Sequence, residues 1–502
     1  MIRLQGFRVE PFCYYRAGHQ VRELGNAKRD AFMTGFGHLC SAFPRLVSPL
    51  VVLLSLFFFG LRPTVFAAGQ PLGKPNIVFI LFDDMGYGEP PCYRPRSEFR
   101  MPNLDRLARE GMRFTDAHTA AAVCTPTRYG LLTGRYPMRI GQYGVLKTYS
   151  PPIIDKDRLT IGGLLEQQAY HTAAIGKWHL GMNWPGANKA NEKVNPQPGT
   201  VAADGPTSRG FDYFCGYTHS GNLSMVVEQD KVAVNLEPSA VQPHLAKKAV
   251  AYIDERAKAG CPFFLYLPIC TPHLPIVPAR EFLGKSGSSE YGDWLYEGDW
   301  VTGQVLDALQ RNNLTGETLL IVTSDNGASK RSYEPLRDCK MSIYEGGHRV
   351  PFLARWPGKI KAGSVCDDTI CLNDLMATCA DILGIRLPAN AGEDSFSLLP
   401  NLLGTAQGPV REATIHQSHT GDLAIRQGPW KLIFLKNGNR QLYNLQDDLS
   451  ETRDLTNTRP EVVARLTKLL RQYIANGRST PGEAQRNAVD IQPGVPVEKP
   501  KK

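Results

Sequence analysis

What this chain lacks narrows its function before any motif is considered. None of its eleven cysteines stands in C-x-x-C spacing, which argues against a thiolate zinc site. It has no long run of Lys or Arg. Residues 1–68 hold eight Lys/Arg and three Asp/Glu, so five of the nine net positive charges sit there and only four remain on the rest. A surplus of four on over 400 residues does not point to nucleic acid, though it is compatible with an anionic substrate. The apolar run at 46–61 is 16 residues long, short of the ~20 a spanning helix needs, and Pro49 lies near its start.

That run is preceded by Arg45 and followed by Val65-Phe66-Ala67-Ala68, the basic, apolar, small-residue order of a secretory signal. Cleavage after Ala67 or Ala68 would export the chain to a periplasmic, extracellular or lumenal compartment; an uncleaved anchor is the alternative. The 45 residues before the run are long for a leader. A start at Met33 gives a conventional one, so 1–32 reads as a mis-called start. With 42% hydrophobic and 21% charged residues over this length, the remainder is an ordinary globular chain with room for two or three domains. Eight cysteines remain outside the leader besides Cys124, an even number that permits disulfides without specifying them.

The short run Asn76-Ile77-Val78-Phe79-Ile80-Leu81-Phe82 predicts a central strand covered on both faces. It ends in Asp83-Asp84. Adjacent carboxylates repel unless a cation or hydrogen-bond donors compensate them, and such pairs suit hard divalent ions; an ordinary N-cap and loop is the plain alternative. A helix is expected at 101–111. Cys124-Thr125-Pro126-Thr127-Arg128 then leads into Leu131-Leu132-Thr133-Gly134, a turn passing into a helix that stops at Gly134. Taken alone, Cys124 is a buried thiol, although a residue near a helix N-terminus gains from the positive dipole end.

A helix at 160–167 and a strand at 172–175 precede Gly176-Lys177-Trp178-His179-Leu180-Gly181. Lys177 and His179, two apart on an extended segment, would project to one side and suit an anionic leaving group. Residues 182–208 read as an insertion loop. A second buried strand at 263–267 leads to Thr271-Pro272-His273-Leu274-Pro275, where flanking prolines would hold a histidine as a general acid requires. A third at 318–323 leads to Ser324-Asp325-Asn326-Gly327, again offering oxygen ligands. Helices are expected at 297–309 and 373–383. In an open parallel sheet ligands gather at the carboxyl ends of strands, which would bring these three termini into one pocket.

The segments C-T-P-T-R with L-T-G, the strand-end DD, GKWHLG, SDNG and Lys340-Met341-Ser342-Ile343-Tyr344-Glu345-Gly346-Gly347-His348-Arg349-Val350-Pro351 together resemble the sulfatase family, from about Asn76 to Leu455. The resemblance implies an α/β fold of the alkaline-phosphatase type, a mostly parallel central sheet flanked by helices. It implies that Cys124 is oxidised by a formylglycine-generating maturation enzyme. The hydrated aldehyde would then act as nucleophile beside a calcium ion, with magnesium as the alternative, held by Asp83, Asp84, Asp325 and Asn326. Arg128 would orient the hydrate, Lys177 and Lys340 would clamp sulfate oxygens, His273 would protonate the leaving oxygen, and His179 would take the proton that expels sulfate. A looser match at Gly210-Phe211 onward places Ser220, or its neighbour His219, against sulfate or substrate. The implied reaction is hydrolysis of sulfate esters, on a sulfated small molecule or glycan. Two rivals remain: a phosphate or phosphonate ester hydrolase on the same fold, and a non-catalytic protein that binds sulfated glycans.

The implied organisation is a leader (1–68), a catalytic domain (69–404) and a C-terminal subdomain (405–477). The subdomain carries short strands at 423–426, 430–434 and 441–445 and a helix at 461–474. A Pro- and Lys-rich tail from Arg478 is expected to be disordered. The sequence does not indicate an oligomeric state.

Overall fold

The eight-residue strand Asn76–Asp83 is buried along its whole length. Its side chains divide by parity, as the period of two demands. Ile77, Phe79 and Leu81 enter one apolar core, and Val78, Ile80 and Phe82 enter the other. The computed structural model, which describes residues 72–187 and 194–494, centres a ten-stranded sheet on this strand. Phe263–Pro272 pairs with it in parallel on one side and Thr318–Ser324 on the other. His171–Lys177, Tyr213–Tyr217 and further strands extend the sheet, which is mostly parallel as expected and turns antiparallel toward its edges.

Helices cover both faces. Pro102–Glu110, Pro238–Ala259 and Glu290–Arg311 lie on one side, and Cys124–Thr133, Ile161–Glu166 and Leu375–Ile382 on the other. The helix expected at 297–309 begins earlier, at Glu290, where the Ser289 side chain accepts the Gly292 N–H and caps it. Gly292 and the Ser- and Gly-rich residues just before Glu290 hid its first turns from the periodicity. Asp299 of this helix accepts the N–H groups of Asn103 and Leu104 and so caps Pro102–Glu110 from a distance.

A four-stranded antiparallel sheet runs Thr414–Gln417, Leu423–Gln427, Trp430–Phe434, Arg440–Asn444. Helix Pro460–Ala475 lays Val462, Val463, Leu466, Leu469, Leu470 and Tyr473 on it, the stripe of a 3.6-residue period. The same core takes in Tyr136, Met138 and Cys371, and the described residues form one compact unit. The tail expected to be disordered from Arg478 is fastened to the fold at a few points through 494, although most of 481–490 is exposed. Arg478 and Ile491 are buried, and the Ala488 N–H donates to the Arg139 carbonyl. One isoleucine and a set of backbone hydrogen bonds outweigh the Pro-rich composition there. Residues 182–208 are likewise partly built in: Met182, Trp184 and Ala202 are buried, and Asn183 bridges Ala203. The leader, residues 188–193 and residues 495–502 lie outside the described residues. The nine described cysteines are all free.

Glu297 gives a test of this core. Its carboxyl is fully buried, accepts the Ala279 N–H at 2.9 Å and has no ion pair among the described residues. Burial pushes its pKa up to about 8. The folded state therefore holds a proton that the unfolded chain releases near pH 4.5. That stability is fully present below about pH 4.5 and is lost as pH rises toward 8. Glu297→Gln is expected to remove this slope, leaving the variant more stable than the parent at pH 9 by about 1–3 kcal/mol. Denaturant melts of both proteins at pH 5 and pH 9 would check it; parallel pH profiles would refute it.

Candidate active site

Cys124 is the first residue of helix Cys124–Thr133, and every residue of that helix is buried. Val123 before it is extended, and Gly134 closes the helix in the left-handed conformation, donating to the Gly130 carbonyl. Thr125 fastens the neighbourhood: its hydroxyl donates to the His179 carbonyl at 3.2 Å and accepts the Leu146 N–H at 3.1 Å. Burial raises the Cys124 thiol pKa in spite of Lys177 and Lys340 nearby. A thiol in that state is largely protonated at neutral pH and is a poor nucleophile as it stands.

The carboxylates meet Cys124 as the strand-end argument required. One donor atom each from Asp83, Cys124 and Asp325 lie within 4.8 Å of one another, and so do those of Asp83, Asp84 and His273. Asp83 closes its strand and Asp325 directly follows the neighbouring one, at the same edge. Asp84 has φ 73°, a left-handed backbone at the point where the chain leaves the sheet, and its N–H donates to Asp325 Oδ1 at 3.2 Å. Arg128 donates to Asp325 Oδ2 through Nε (3.0 Å) and a terminal nitrogen (2.7 Å), and to the Lys177 carbonyl at 2.8 Å.

Lys177 Nζ lies 2.6 Å from Asp83 Oδ2, and Lys340 Nζ bonds Asp84 Oδ1. Burial would raise the Asp83 pKa, but Lys177, His273 and Arg128 hold it well below the carboxylate range. Asp325 is pushed up to about 7 by burial and by Asp83, against the pull of Arg128. Two oxygens, Asp83 Oδ1 and Asn326 Oδ1, are buried without any hydrogen-bond partner. Clustered carboxylates with orphaned oxygens form a hard donor set, and a divalent cation of the calcium or magnesium type fits it.

The two histidines differ. His179 does not continue an extended segment, contrary to the sequence reading. It sits at φ 54°, so its placement comes from this turn and from the Thr125 anchor rather than from strand alternation. Its Nε2 donates to the Leu146 carbonyl at 3.1 Å, leaving Nδ1 buried and unpartnered. Burial, with Lys177 and His219 adding to it, keeps this ring neutral. His273 donates from Nδ1 to the Leu274 carbonyl at 2.6 Å, and its Nε2 is 3.9 Å from Asp84 Oδ2. Burial lowers its pKa, partly offset by Asp83 and Asp84.

Ser220 Oγ is 3.5 Å from Asp83 Oδ2, so this loosely matched residue also reaches the cluster. His219 comes closer than the sequence indicated. Its ring stacks edge-on to His179 at 4.8 Å, and its Nδ1 accepts the Gly221 N–H at 2.8 Å, which directs the remaining N–H elsewhere. Burial and the cations Lys177 and His273 lower its pKa to about 4. The sequence segment beginning at Gly210 named it only as the alternative to Ser220. Gly327 and Gly346 explain two motif glycines: a Cβ on Gly327 would stand 1.8 Å from the Gly346 carbonyl oxygen, so the SDNG and EGG segments touch backbone to backbone.

A parallel-sheet hydrolase with an acidic cation site, two lysines and two histidines around a helix N-terminus defines the class to which this protein belongs. The sulfatase family model matches residues 75–385, and the C-terminal model of N-sulphoglucosamine sulphohydrolase matches 338–477. The chain belongs to the sulfatase family and is a sulfuric ester hydrolase. It is 32% identical over 488 residues to an N-acetylgalactosamine-6-O-sulfatase of Bacteroides thetaiotaomicron, covering 80% of this chain and 93% of that protein. It is 34% identical over 410 residues to human arylsulfatase A, covering 74% and 77%. Among solved structures, a Bacteroides thetaiotaomicron 6S-sulf protein, from work on the metabolism of multiple glycosaminoglycans, superposes with TM-score 0.72 at 29% identity, covering 80% and 99%. Ps i-CgsB in complex with a neocarrahexaose gives 0.71 at 26%, covering 82% and 95%. A phosphonate monoester hydrolase of Agrobacterium radiobacter, at 18% identity and TM-score 0.57, shares the fold alone.

Proposed function

We propose that this protein hydrolyses a sulfate ester on a carbohydrate after Cys124 has been converted to formylglycine by a maturation enzyme, with calcium in the carboxylate cluster. The observation that carries this reading is the setting of Cys124. Its thiol is buried and protonated at the start of a helix, yet it faces Asp83 and Asp325 with Lys177 and Lys340 around it. Such a setting favours an oxygen nucleophile over a thiolate. The relatives that act on sulfated N-acetylgalactosamine, and the neighbour bound to a neocarrahexaose, support a sugar substrate.

Formylglycine would supply the nucleophilic oxygen as its hydrate, and a hard cation held by Asp83, Asp84, Asp325 and Asn326 would supply neutralising charge. The chain's own groups do the rest. Lys177 and Lys340 exchange their carboxylate contacts for the ester's sulfuryl oxygens, where charge grows in the transition state. Arg128, locked on Asp325, fixes the geometry behind the nucleophile. His273, whose Nδ1–H is held by the Leu274 carbonyl, takes up a second proton at Nε2, a charge that Asp83 and Asp84 favour against its burial, and gives that proton to the departing sugar oxygen. His179, neutral and with Nδ1 free, accepts the proton released when sulfate departs. Ser220 and His219 are placed to bind substrate. We further propose that the apolar run at 46–61 directs export.

Mass spectrometry of the tryptic peptide 114–128 from protein made with a competent maturation system is expected to show formylglycine at position 124. The same preparation should release sulfate from N-acetylgalactosamine 6-sulfate. An unmodified cysteine in active enzyme would refute the nucleophile, and activity that survives exhaustive chelation would refute the cation.

A further inference from the structure

Two loops leave the catalytic edge of the sheet side by side, because Phe82 and Ser324 are register partners on adjacent parallel strands. One follows Asp84 and carries Arg94-Pro95-Arg96; the other follows Asn326 and carries Arg331 and Tyr333. Between them lies a pocket of about 790 Å³ lined by these residues, by Ser332 and by the carboxylates Glu98 and Glu334, so three arginines face two acids there; its size is in the range of small-ligand sites. One aromatic ring, Tyr333, lines it, and Tyr291 lies behind Arg331. The Arg331 guanidinium lies 4.1 Å from the Tyr291 ring centroid, and that of Arg94 lies 5.4 Å from the Tyr333 centroid. The tyrosines are held rigidly, since both hydroxyls donate to the buried carboxylate of Glu89, at 2.5 Å from Tyr291 and 2.9 Å from Tyr333.

The guanidinium groups are largely uncommitted. Arg331 has one ion pair, at 3.5 Å to the exposed Glu98, and among the described residues Arg94 and Arg96 have none. Guanidinium groups clustered around one pocket recognise oxyanions such as sulfate and carboxylate, and those of Arg331 and Arg94 are steadied by stacking on the Tyr291 and Tyr333 rings. The pocket is also near the reaction centre. Tyr333 packs directly on Gly88, four residues on from Asp84, at most about 14 Å of chain.

We propose that this pocket is an exosite for a second anionic group of an oligosaccharide whose sulfate ester occupies the Cys124 site. It is separate from the catalytic cluster and makes the enzyme prefer anionic oligosaccharides over single sulfated sugars. The inference rests on the carbohydrate reading of the Cys124 site.

The test uses the full enzyme and the double variant Arg94→Ala/Arg96→Ala, with Arg96→Glu as a second variant, because Arg96 is exposed and makes no ion pair that folding could lose. Turnover of N-acetylgalactosamine 6-sulfate is compared with turnover of a tetrasaccharide ending in that sugar, and calorimetry measures tetrasaccharide binding directly. Expected is unchanged turnover of the monosaccharide, with KM and Kd for the tetrasaccharide raised about tenfold, as for two exposed charge contacts. Tetrasaccharides whose other anions are all sulfates or all carboxylates then show which group the pocket takes. Unchanged tetrasaccharide binding, absent binding to the parent enzyme, or equal losses on both substrates would each overturn the exosite. If the parent enzyme releases sulfate from neither sugar, the reading of the Cys124 site fails, while calorimetry still decides the exosite.

Discussion

Cys124→Ala should cut sulfate-ester turnover at least about a thousandfold, the scale of losing a nucleophile on which the other catalytic groups act. It should leave the melting temperature within a few degrees of the parent. The expectation combines two properties of one side chain. Cys124 is buried at a helix start where Ala is accommodated without a clash, and its thiol donates no hydrogen bond that the fold needs. Its loss removes one small buried group, roughly 1 kcal/mol, whereas the reaction loses its proposed nucleophile, which faces Asp83 and Asp325 with Lys177 and Lys340 nearby. Cys124→Ser should be nearly as inactive, because a serine hydroxyl has no second hydroxyl from which His179 could take a proton to expel sulfate. Sulfate release measured on both variants, alongside thermal melts, would decide. Turnover within tenfold of the parent in either variant would sink the assigned role of Cys124.

Much of the site was legible because its parts hang on strand ends. Five to seven mostly apolar residues that lead to polar ones state both a buried strand and the position of its carboxyl end. The strands at Asn76–Asp83, Phe263–Pro272 and Thr318–Ser324 proved to be adjacent and parallel, so Asp83, His273 and Asp325 meet. Groups positioned by turns were harder to place. His179 owes its placement to a left-handed φ and to a threonine 54 residues away, and no two-residue alternation encodes either. Helix Pro238–Ala259 escaped notice because Pro243 interrupts its pattern, although the helix continues through it. The attachment of 478–494 was hidden because a few specific contacts, such as Ile491 in the C-terminal core, do not register in composition. The family motif containing Glu345, Gly346 and Gly347 supplied Lys340 to the site as the resemblance implied. The other role of that motif, far from the substrate, could only be seen in three dimensions.

That role leads to the second large effect, expected for Lys431→Met. Lys431 belongs to the C-terminal sheet and is fully buried. Its Nζ lies 3.0 Å from Glu345 Oε1, 2.7 Å from Glu451 Oε1 and 3.0 Å from His348 Nε2. Glu345 also meets Arg349 at 3.2 Å, and Asp116 meets Arg349 at 3.2 Å and Arg426 at 2.7 Å, so one buried ionic network joins the short helix Glu345–His348 to the small sheet. The burial of Glu345 opposes ionisation, but Lys431, His118 and His348 hold its carboxyl well below the usual range. Methionine matches the lysine stem in volume and removes only the charge. Two carboxylates then remain in a dry interior with their main cation gone, a change that costs about 3–5 kcal/mol, or roughly a 3–6 °C fall in melting temperature for a folded unit of this size. The deficit should shrink as pH falls from 8 to 5, because the stranded carboxylates can take up protons instead of remaining charged. Lys468→Met, on the exposed face of the last helix, should stay within about 0.5 kcal/mol of the parent. If Lys431→Met melts as the parent does at both pH values, the network does not attach the C-terminal sheet, and the apolar core around Leu432, Leu466 and Tyr136 must suffice to hold it.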